Sequence, residues 1–307
     1  MKSTTHTQAA ALRYVVITPV KDEEKHVQRT LEAMVHQTVK PVRWIIVDDG
    51  STDQTPEILA RYAQSNSFIT VVTRDRGEVR QPGPAVVRAF NRGYEAAKGL
   101  DYDVIVKLDC DLSFEPDYFE QLLLKLQADP KLGIVSGVYI EAPDGNTWAE
   151  VGMPSYHAAG ASKVIRRECF EQINGFIPSR GWDTVDEIRA MARGWRTRHY
   201  TEFKMKHWKP EGTGIGSMRT NFMHGEIYYL TGGSKLFFLF KVLHRLIQRP
   251  FIIGGAALCW GYVRTSFSKK VVLVTKDEAR CYQALLNDRI FGKIKRVFQR
   301  ESTGLAS

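Results

Sequence analysis

Cysteine is scarce in this chain. The four residues, Cys110, Cys169, Cys259 and Cys281, show no CxxC pairing and are too few for a disulfide framework. That excludes a stapled secreted scaffold and a cysteine zinc site, and it favours a reducing compartment. The start, Met1 to Gln8, is polar and has no apolar core of a secretory signal, so a cytoplasmic location is expected. No apolar run reaches the ~20 residues that a membrane-spanning helix needs. The nearest, Phe251 to Val263, has thirteen residues before Arg264. There is no internal repeat and no long low-complexity segment. Acid is in short supply at one end: residues 201 to 307 hold 18 Lys and Arg against 7 Asp and Glu, a charge of +11, which leaves −2 for residues 1 to 200. The basic excess of +9 therefore belongs to the C-terminal third. Charge of that kind attracts nucleic acid, anionic lipid or phosphorylated substrates and does not choose among them.

What is present is enough for a full core. With 307 residues, 43% apolar and 25% charged, the chain supports one catalytic domain and an appendage. Short β-branched runs, Tyr14 to Thr18, Trp44 to Val47, Ile69 to Val72, Val104 to Leu108 and Ile134 to Val138, read as strands. Glu24 to His36, Thr55 to Tyr62, Ala85 to Ala97 and Asp117 to Leu126 carry apolar residues at helical spacing between them. Ser51 or Asp53 caps the second helix, with Pro56 in its first turn. This alternation predicts an α/β fold with a mostly parallel, doubly wound sheet. After Val138 it loosens: 141 to 146 reads as a loop, Gly160 to Ile165 as a strand, and Arg167 to Ile173 and Thr184 to Ala192 as helices.

Two carboxylate clusters end strand-like runs, Asp48-Asp49 after Trp44 to Val47, and Asp109-Cys110-Asp111 after Val104 to Leu108. In an open α/β sheet the carboxyl ends of the strands face the ligand crevice. Acids there, in a basic chain, point to a divalent metal holding a phosphorylated ligand. The spacing of Asp109 and Asp111 puts both side chains on one face of an extended segment. Acids that merely cap a helix are the alternative, weakened because the next helix begins only near Pro116.

An ordered series of motifs resembles the inverting glycosyltransferases of family 2, which have the GT-A fold. Its members are Thr18 to Glu24, Val47 to Asp53, Asp109-Cys110-Asp111, Gly160-Ala161, Asn174-Gly175-Phe176, Gly181 to Glu187 and Arg193-Gly194-Trp195, covering roughly residues 13 to 225. The resemblance implies a nucleotide-diphosphate sugar, UDP- or GDP-linked, bound by Pro19, Val20, Lys21, Glu23, Asp49, Lys107, Asp109, Lys209 and Arg219. It implies Mg²⁺ or Mn²⁺ on Asp109, Asp111 and His207, and an acceptor side that includes Gly160, Ala161 and Trp182. Glu23 and Glu24 read equally as helix-start acids at the positive end of the macrodipole. A lone histidine such as His207 is also a common surface or structural residue. The resemblance places the base that would take the acceptor proton on Asp183, where the sequence departs from the family in having Trp182 in place of Glu. Asp186 and Glu187 follow one turn later, as helix-start acids or as sharers of that role. Gly212 to Gly216 with Arg219 reads as a mobile flap near the phosphates; no strand precedes it and no helix opens on it, so it is no dinucleotide fingerprint.

Ser234 to Arg249 sets Lys241, His244, Arg245 and Gln248 on one helical face among Phe and Leu, a pattern suited to a membrane interface. The run from Phe251 is too short to span, so it lies at the interface, re-enters, or packs on protein. With Arg249 and Arg264, these side chains would meet anionic headgroups. A helical pair packed on the catalytic domain or on a second copy is the alternative. The expected organisation is a polar tail at 1–12, a catalytic domain at 13–230 with a nucleotide-binding half at 13–138 and an acceptor half at 139–230, and a basic membrane-associating helical region at 231–307. The expected function is transfer of a sugar to a glycan or lipid-linked acceptor in bacterial surface-polysaccharide assembly, at the inner face of the cell membrane, without nucleic acid as a partner. A nucleotidyltransferase fits less well, because no Gly-rich triphosphate loop follows the first strand. A non-catalytic basic scaffold would leave the carboxylate series unexplained.

Overall fold

The computed structural model describes residues 12–73, 84–142, 144–209, 216–248 and 251–304, the last stretch without side chains from 293 onward. Residues 1–11 of the polar tail, Gly212 to Ile215, Arg249 and Pro250 lie outside the described residues. Two compact units result, Met1–Gly175 with Trp195–Lys209, and Phe176–Gly194 with Pro210–Ser307. The division expected at residues 138 and 230 follows the run of the sequence; the units follow packing.

Among the described residues, the first unit is built on a nine-stranded mixed sheet. Strands β1 (Tyr14–Val20), β2 (Arg43–Asp48), β3 (Ile69–Thr73) and β4 (Val104–Leu108) are parallel, in the order β3-β2-β1-β4. Helices α1 (Val27–Val35), α2 (Thr55–Ser65) and α3 (Pro84–Ala96) connect them. The chain steps from β1 outward to β3 and then returns to the other side of β1, so β1 and β4 flank a topological switch point. Beyond β4 come β8 (Ser162–Arg166), antiparallel to β4, then β6 (Leu132–Glu141), β9 (Arg196–His207) and β5 (Leu112–Phe114), with β7 (Ala149–Glu150) hairpinned onto β6. Because β8 runs against both neighbours and β9 runs parallel to β6, six of the nine strands share one direction. The mostly parallel, doubly wound α/β sheet is therefore present. Helices α4 (Tyr118–Ala128) and α5 (Arg167–Gln172) complete this unit.

The central parallel strands are mostly apolar because both faces are covered; every residue of β1 and β4 is buried, Thr18 and Lys107 included. Trp44, Ile46, Val106 and Phe119 form one cluster with the inner faces of the helices. Each such side chain contributes ~1.5–3 kcal/mol by leaving water.

The second unit is helical, with α6 (Trp182–Ala192), α7 (Ser217–Leu230), α8 (Lys235–Leu246), α9 (Ile253–Phe267) and α10 (Lys276–Gly304). Gly181, at φ 81, precedes α6 and rests on α7, where a Cβ would come within 2.8 Å of Ile227. Arg180 and Lys270 both pair with buried Glu226, at 2.9 and 2.5 Å, and Arg193 pairs with Glu278 at 2.9 Å.

Candidate active site

At the switch point two loops interlock, and the sequence explains how. The loop after β1 carries Lys21 to Glu24, and the loop after β2 carries Asp48 to Asp53. Asp49 N donates to Val20 O at 2.8 Å, Thr52 N to Asp22 Oδ1 at 2.8 Å, Glu23 N to Thr55 Oγ1 at 2.9 Å, and Glu24 N to Asp53 Oδ2 at 3.1 Å. Lys21 Nζ donates to Gly50 O. Asp48 is structural: its Oδ1 accepts from Ser51 N and Oγ, which shapes the turn. The expected cap is displaced in consequence. Ser51 is engaged with Asp48, Gln54 stands at the N-cap of α2, and Asp53 Oδ1 accepts from Thr55 N at 3.0 Å. Asp49 and Glu23 are buried at the ends of this paired loop.

The second carboxylate cluster continues β4. Lys107, buried on the strand, donates to Asp109 Oδ1 at 2.5 Å and to Gly160 O at 2.8 Å, while Asp109 N donates to Ala161 O at 2.8 Å. Gly160 and Ala161 thus back the Asp109 turn. His207, at the end of β9, lies between two carboxylates: Nε2 is 3.5 Å from Asp111 Oδ2, and Nδ1 is 2.6 Å from Glu141 Oε1. Lys209, two residues on, is 2.8 Å from Glu23 Oε1 and so ties the β1 loop to the end of β9.

These charges reset one another. Burial works to lower the His207 imidazole, but the hydrogen bond and charge of Asp111, with Glu141 behind, raise it to about 9. Asp111 is held below the usual carboxylate range: burial pushes it up, and the His207 hydrogen bond and charge outweigh that. Asp109 is raised, first by burial, against the pull of Lys107 and with the charge of Asp111 adding to it. Its side chain is still 30% exposed, so water screens part of this interaction.

Among the described residues, no group of three or more His, Cys, Asp and Glu side chains is set as a ready metal cage. His207 instead pairs with the carboxylates. One atom nonetheless fits a cation: Asp111 Oδ1 is buried and accepts no hydrogen bond among the described residues. A buried carboxylate oxygen left so is costly unless something positive meets it. Carboxylate oxygens suit Mg²⁺ or Mn²⁺, and of the two Mn²⁺ better accepts an imidazole nitrogen beside them.

The remaining predicted residues belong to the second unit. Asp183 lies in the first turn of α6 and keeps part of its surface exposed, whereas Asp186 and Glu187 are buried. Asp186 Oδ1 accepts from Glu187 N at 2.7 Å. Trp182 packs edge-on against Phe176 at 4.7 Å. Arg219 is exposed near the start of α7, so the flap expected around it is helical from Ser217 onward. Within this unit, burial lowers the His224 imidazole, Lys241 and Arg245 lower it further, and Asp183 acts in the opposite sense.

Two residues near the first-unit carboxylates were missed from the sequence. Glu141 carries the signature that exposed the others, an acid ending an apolar run, here Ile134 to Ile140, but the Pro-Asp-Gly that follows made it read as a loop. His26 gave no signal; the charges of Asp111 and Lys209 both act on its imidazole, which burial lowers.

The sequence model of glycosyl transferase family 2 matches residues 15–237. The chain belongs to this family. Glycosyltransferase AglD of Haloferax volcanii is 28% identical over 236 residues, covering 66% of this chain and 34% of AglD. Poly-beta-1,6-N-acetyl-D-glucosamine synthase of Staphylococcus aureus is 29% identical over 117 residues, 38% of this chain and 26% of the synthase. The matched stretch therefore spans about a third or less of these relatives. The structure of mannosyltransferase PcManGT from Pyrobaculum calidifontis, in complex with GDP-Man and Mn²⁺, superposes with a TM-score of 0.54 at 18% identity, covering 96% of this chain and 84% of that one. This likeness establishes the GT-A fold.

Proposed function

We propose that this family-2 transferase moves a sugar from a nucleotide-diphosphate sugar, UDP- or GDP-linked, to a glycan or lipid-linked acceptor in polysaccharide biosynthesis, with inversion. The observation that carries the reading is the buried Asp111 Oδ1, which accepts no hydrogen bond among the described residues and follows β4 where the strand order reverses. Nucleoside contacts go to Pro19, Val20, Lys21, Glu23 and Asp49, which the two interlocked loops hold rigid. Lys107 fixes Asp109 by a short ion pair, and Lys209 places a cation beside Glu23. With Arg219, Lys209 is assigned to the diphosphate. Mg²⁺ or Mn²⁺ would be held by Asp109, Asp111 and His207, and when bound it offsets the charge developing on the departing nucleoside diphosphate. His207 has to give up its proton before it can ligate.

In the displacement, the bond from the acceptor oxygen to the anomeric carbon forms as the bond from that carbon to the phosphate oxygen breaks. The electron pair leaves on the diphosphate, and the acceptor proton passes to a carboxylate. Asp183 is assigned as this base from its place in the family pattern and from its accessibility, since a base must reach the hydroxyl. Asp186 and Glu187, buried one turn later, are assigned to holding α6. Trp182, Gly160 and Ala161 are placed on the acceptor side. The same reading locates the enzyme on the inner face of a membrane, attached without crossing it. Among the described residues, no helix is long and apolar enough to cross.

The test is a screen of UDP- and GDP-sugars for protection against thermal unfolding and for hydrolysis, each with and without Mn²⁺. One sugar nucleotide should raise the melting temperature and be turned over with metal. If none does either, the donor reading is wrong.

A further inference from the structure

Helix α8 is inside out for a water-soluble unit. Its one buried residue is Phe238, which stacks on Tyr262 at 4.4 Å. Leu236, Leu239, Phe240, Leu243 and Ile247, at i, i+3, i+4, i+7 and i+11, form a single stripe that is 44–71% exposed. Helix α9 repeats the pattern. Its inner side, with Gly255, Leu258 and Gly261, is buried. The approach to α7 is so close that a Cβ on Gly225 would lie 2.0 Å from Leu258 O and one on Gly261 2.0 Å from Phe222 O. Its outer side shows Ile253, Trp260 and Phe267, spaced by seven residues and 53–83% exposed. Eleven of the fifteen large apolar side chains exposed among the described residues lie between Leu236 and Val271. Scattered exposed apolar residues are ordinary, but this concentration marks an interaction surface.

The charge around it selects the partner. From Ile227 to Lys276, fifty residues, there is no Asp or Glu, and there are eight Lys and Arg. Lys235, Lys241, Arg264 and Lys269 are exposed. A protein partner would meet a surface without acids, and a second copy would set like charge against like. A lipid leaflet with anionic headgroups satisfies both the apolar stripes and the cations.

Building on the membrane location proposed above, we infer that the outer stripes of α8 and α9 form a monotopic docking face whose apolar side chains enter the acyl boundary of an anionic bilayer while the flanking lysines and arginines contact the headgroups. Insertion differs from electrostatic adsorption in one measurable respect. Salt screens the cations but not the buried apolar area, so part of the binding survives high salt.

The experiment is co-sedimentation of the full chain with vesicles of phosphatidylcholine alone and of phosphatidylcholine with phosphatidylglycerol in equal parts, at low and high salt. The wild type should pellet with the anionic vesicles and remain partly bound at high salt. A Leu239→Gln, Leu243→Gln, Trp260→Gln variant should lose binding by at least roughly tenfold. A Lys235→Gln, Lys269→Gln variant should keep residual insertion and lose about fivefold in anionic preference per charge. All five side chains are exposed, and an unchanged melting curve would verify the fold. If the wild type binds and the apolar variant binds equally, the face is wrong although the membrane location stands. If the wild type ignores both vesicles, the membrane location itself falls. A dimer in sedimentation velocity that the apolar variant dissolves would make the face a contact between copies, and that also overturns the proposal. Protection by nucleotide sugars, measured on the same variants, should not change, which keeps this test separate from the transferase reading.

Discussion

In the sheet unit, apolar side chains fill the strands from both faces, and the acids gather at strand ends in short pairs with Lys107, Lys209 and His207. In the helical unit, the ion pairs tie the segments flanking the helices onto α7, as Arg180 before α6 and Lys270 after α9 do on Glu226, and it is the apolar side chains that face outward. The same residue classes therefore serve opposite ends. Buried pairs at strand ends cost desolvation and are weak evidence of stability. Their concentration at one switch point is better explained by the chemistry proposed there. Ion pairs from helix-flanking segments instead hold a unit whose apolar surface is only partly consumed by its own packing.

The sharpest way to break this comparison is Asp111→Asn. The proposed role is functional, so transfer should fall to background, a loss of roughly a thousandfold or more, with the response to Mn²⁺ gone. The melting temperature in chelator should fall where His207 is protonated, because the variant loses the charge paired with that imidazole, and should approach wild type above about pH 9, where the pairing is already lost. Full activity, or collapse of the fold, would place Asp111 among structural residues.

Asp183→Asn tests the other unit. Nucleotide-sugar protection and metal response should persist while kcat drops by roughly 10²–10⁴, the usual scale for losing a general base. If Asp183→Asn transfers normally and Asp186→Asn is dead, the base lies one turn further along α6.

Glu141→Gln should be milder. It removes the carboxylate on His207 Nδ1 without touching a proposed ligand, and such partners typically account for 10–100-fold in metal affinity. The pH dependence has a definite sign. His207 is raised from its ordinary 6.5 to about 9, so its pairing stabilises the metal-free fold fully below pH 6.5 and is lost as the pH rises through about 9. Mn²⁺ affinity should run the other way, tightening over that window as the proton leaves. Melting in chelator and metal titration, each followed against pH, would check both, and Glu141→Gln should move both transitions down in pH.

The split between the units also governs what the sequence disclosed. Strands β1 to β4 were legible because burial on both faces leaves unbroken β-branched runs, and their carboxylates were legible because acids ending such runs are conspicuous. Strand β9 was not. It alternates exposed charge with buried residues, as in Arg198, His199, Lys204 and Met205, and no clean apolar run marks it. Helix α7 has almost no apolar face to recognise, since residues on several sides of it are buried. The amphipathic α8 was recognised from its spacing, with its Ser234 cap accepting from Phe237 N at 3.2 Å. Which of its faces points outward was not readable from spacing alone. In the site, local motifs were visible and distant pairings were not: Lys209 meets Glu23 across 186 residues, and His207 meets Glu141 across 66. No local pattern encodes either pairing; the order of strands in the sheet does.

The smallest expected effect isolates the structural half of the comparison. Glu226 is buried on α7 and accepts from Arg180 and Lys270, whose outer parts remain in water. Burial works to raise its carboxyl, but Lys270 and Arg180 outweigh it, and the group sits below its ordinary value. A depressed carboxyl contributes stability above the unfolded pKa, and that contribution is lost as the pH falls through the folded one. Because both cations are about 40–50% exposed, solvent screens the pairs. Glu226→Gln should therefore cost only about 1–2 kcal/mol at neutral pH, and it should flatten part of the acid-induced loss of stability. Denaturant melts at neutral and acid pH measure both quantities. Transfer at saturating donor should stay near wild type, because Glu226 is proposed to anchor the segments before α6 and after α9 on α7 and not to touch substrate. A Glu226→Gln enzyme that folds normally but does not turn over would bring this ion pair into the catalytic machinery and erase the distinction drawn between the two units.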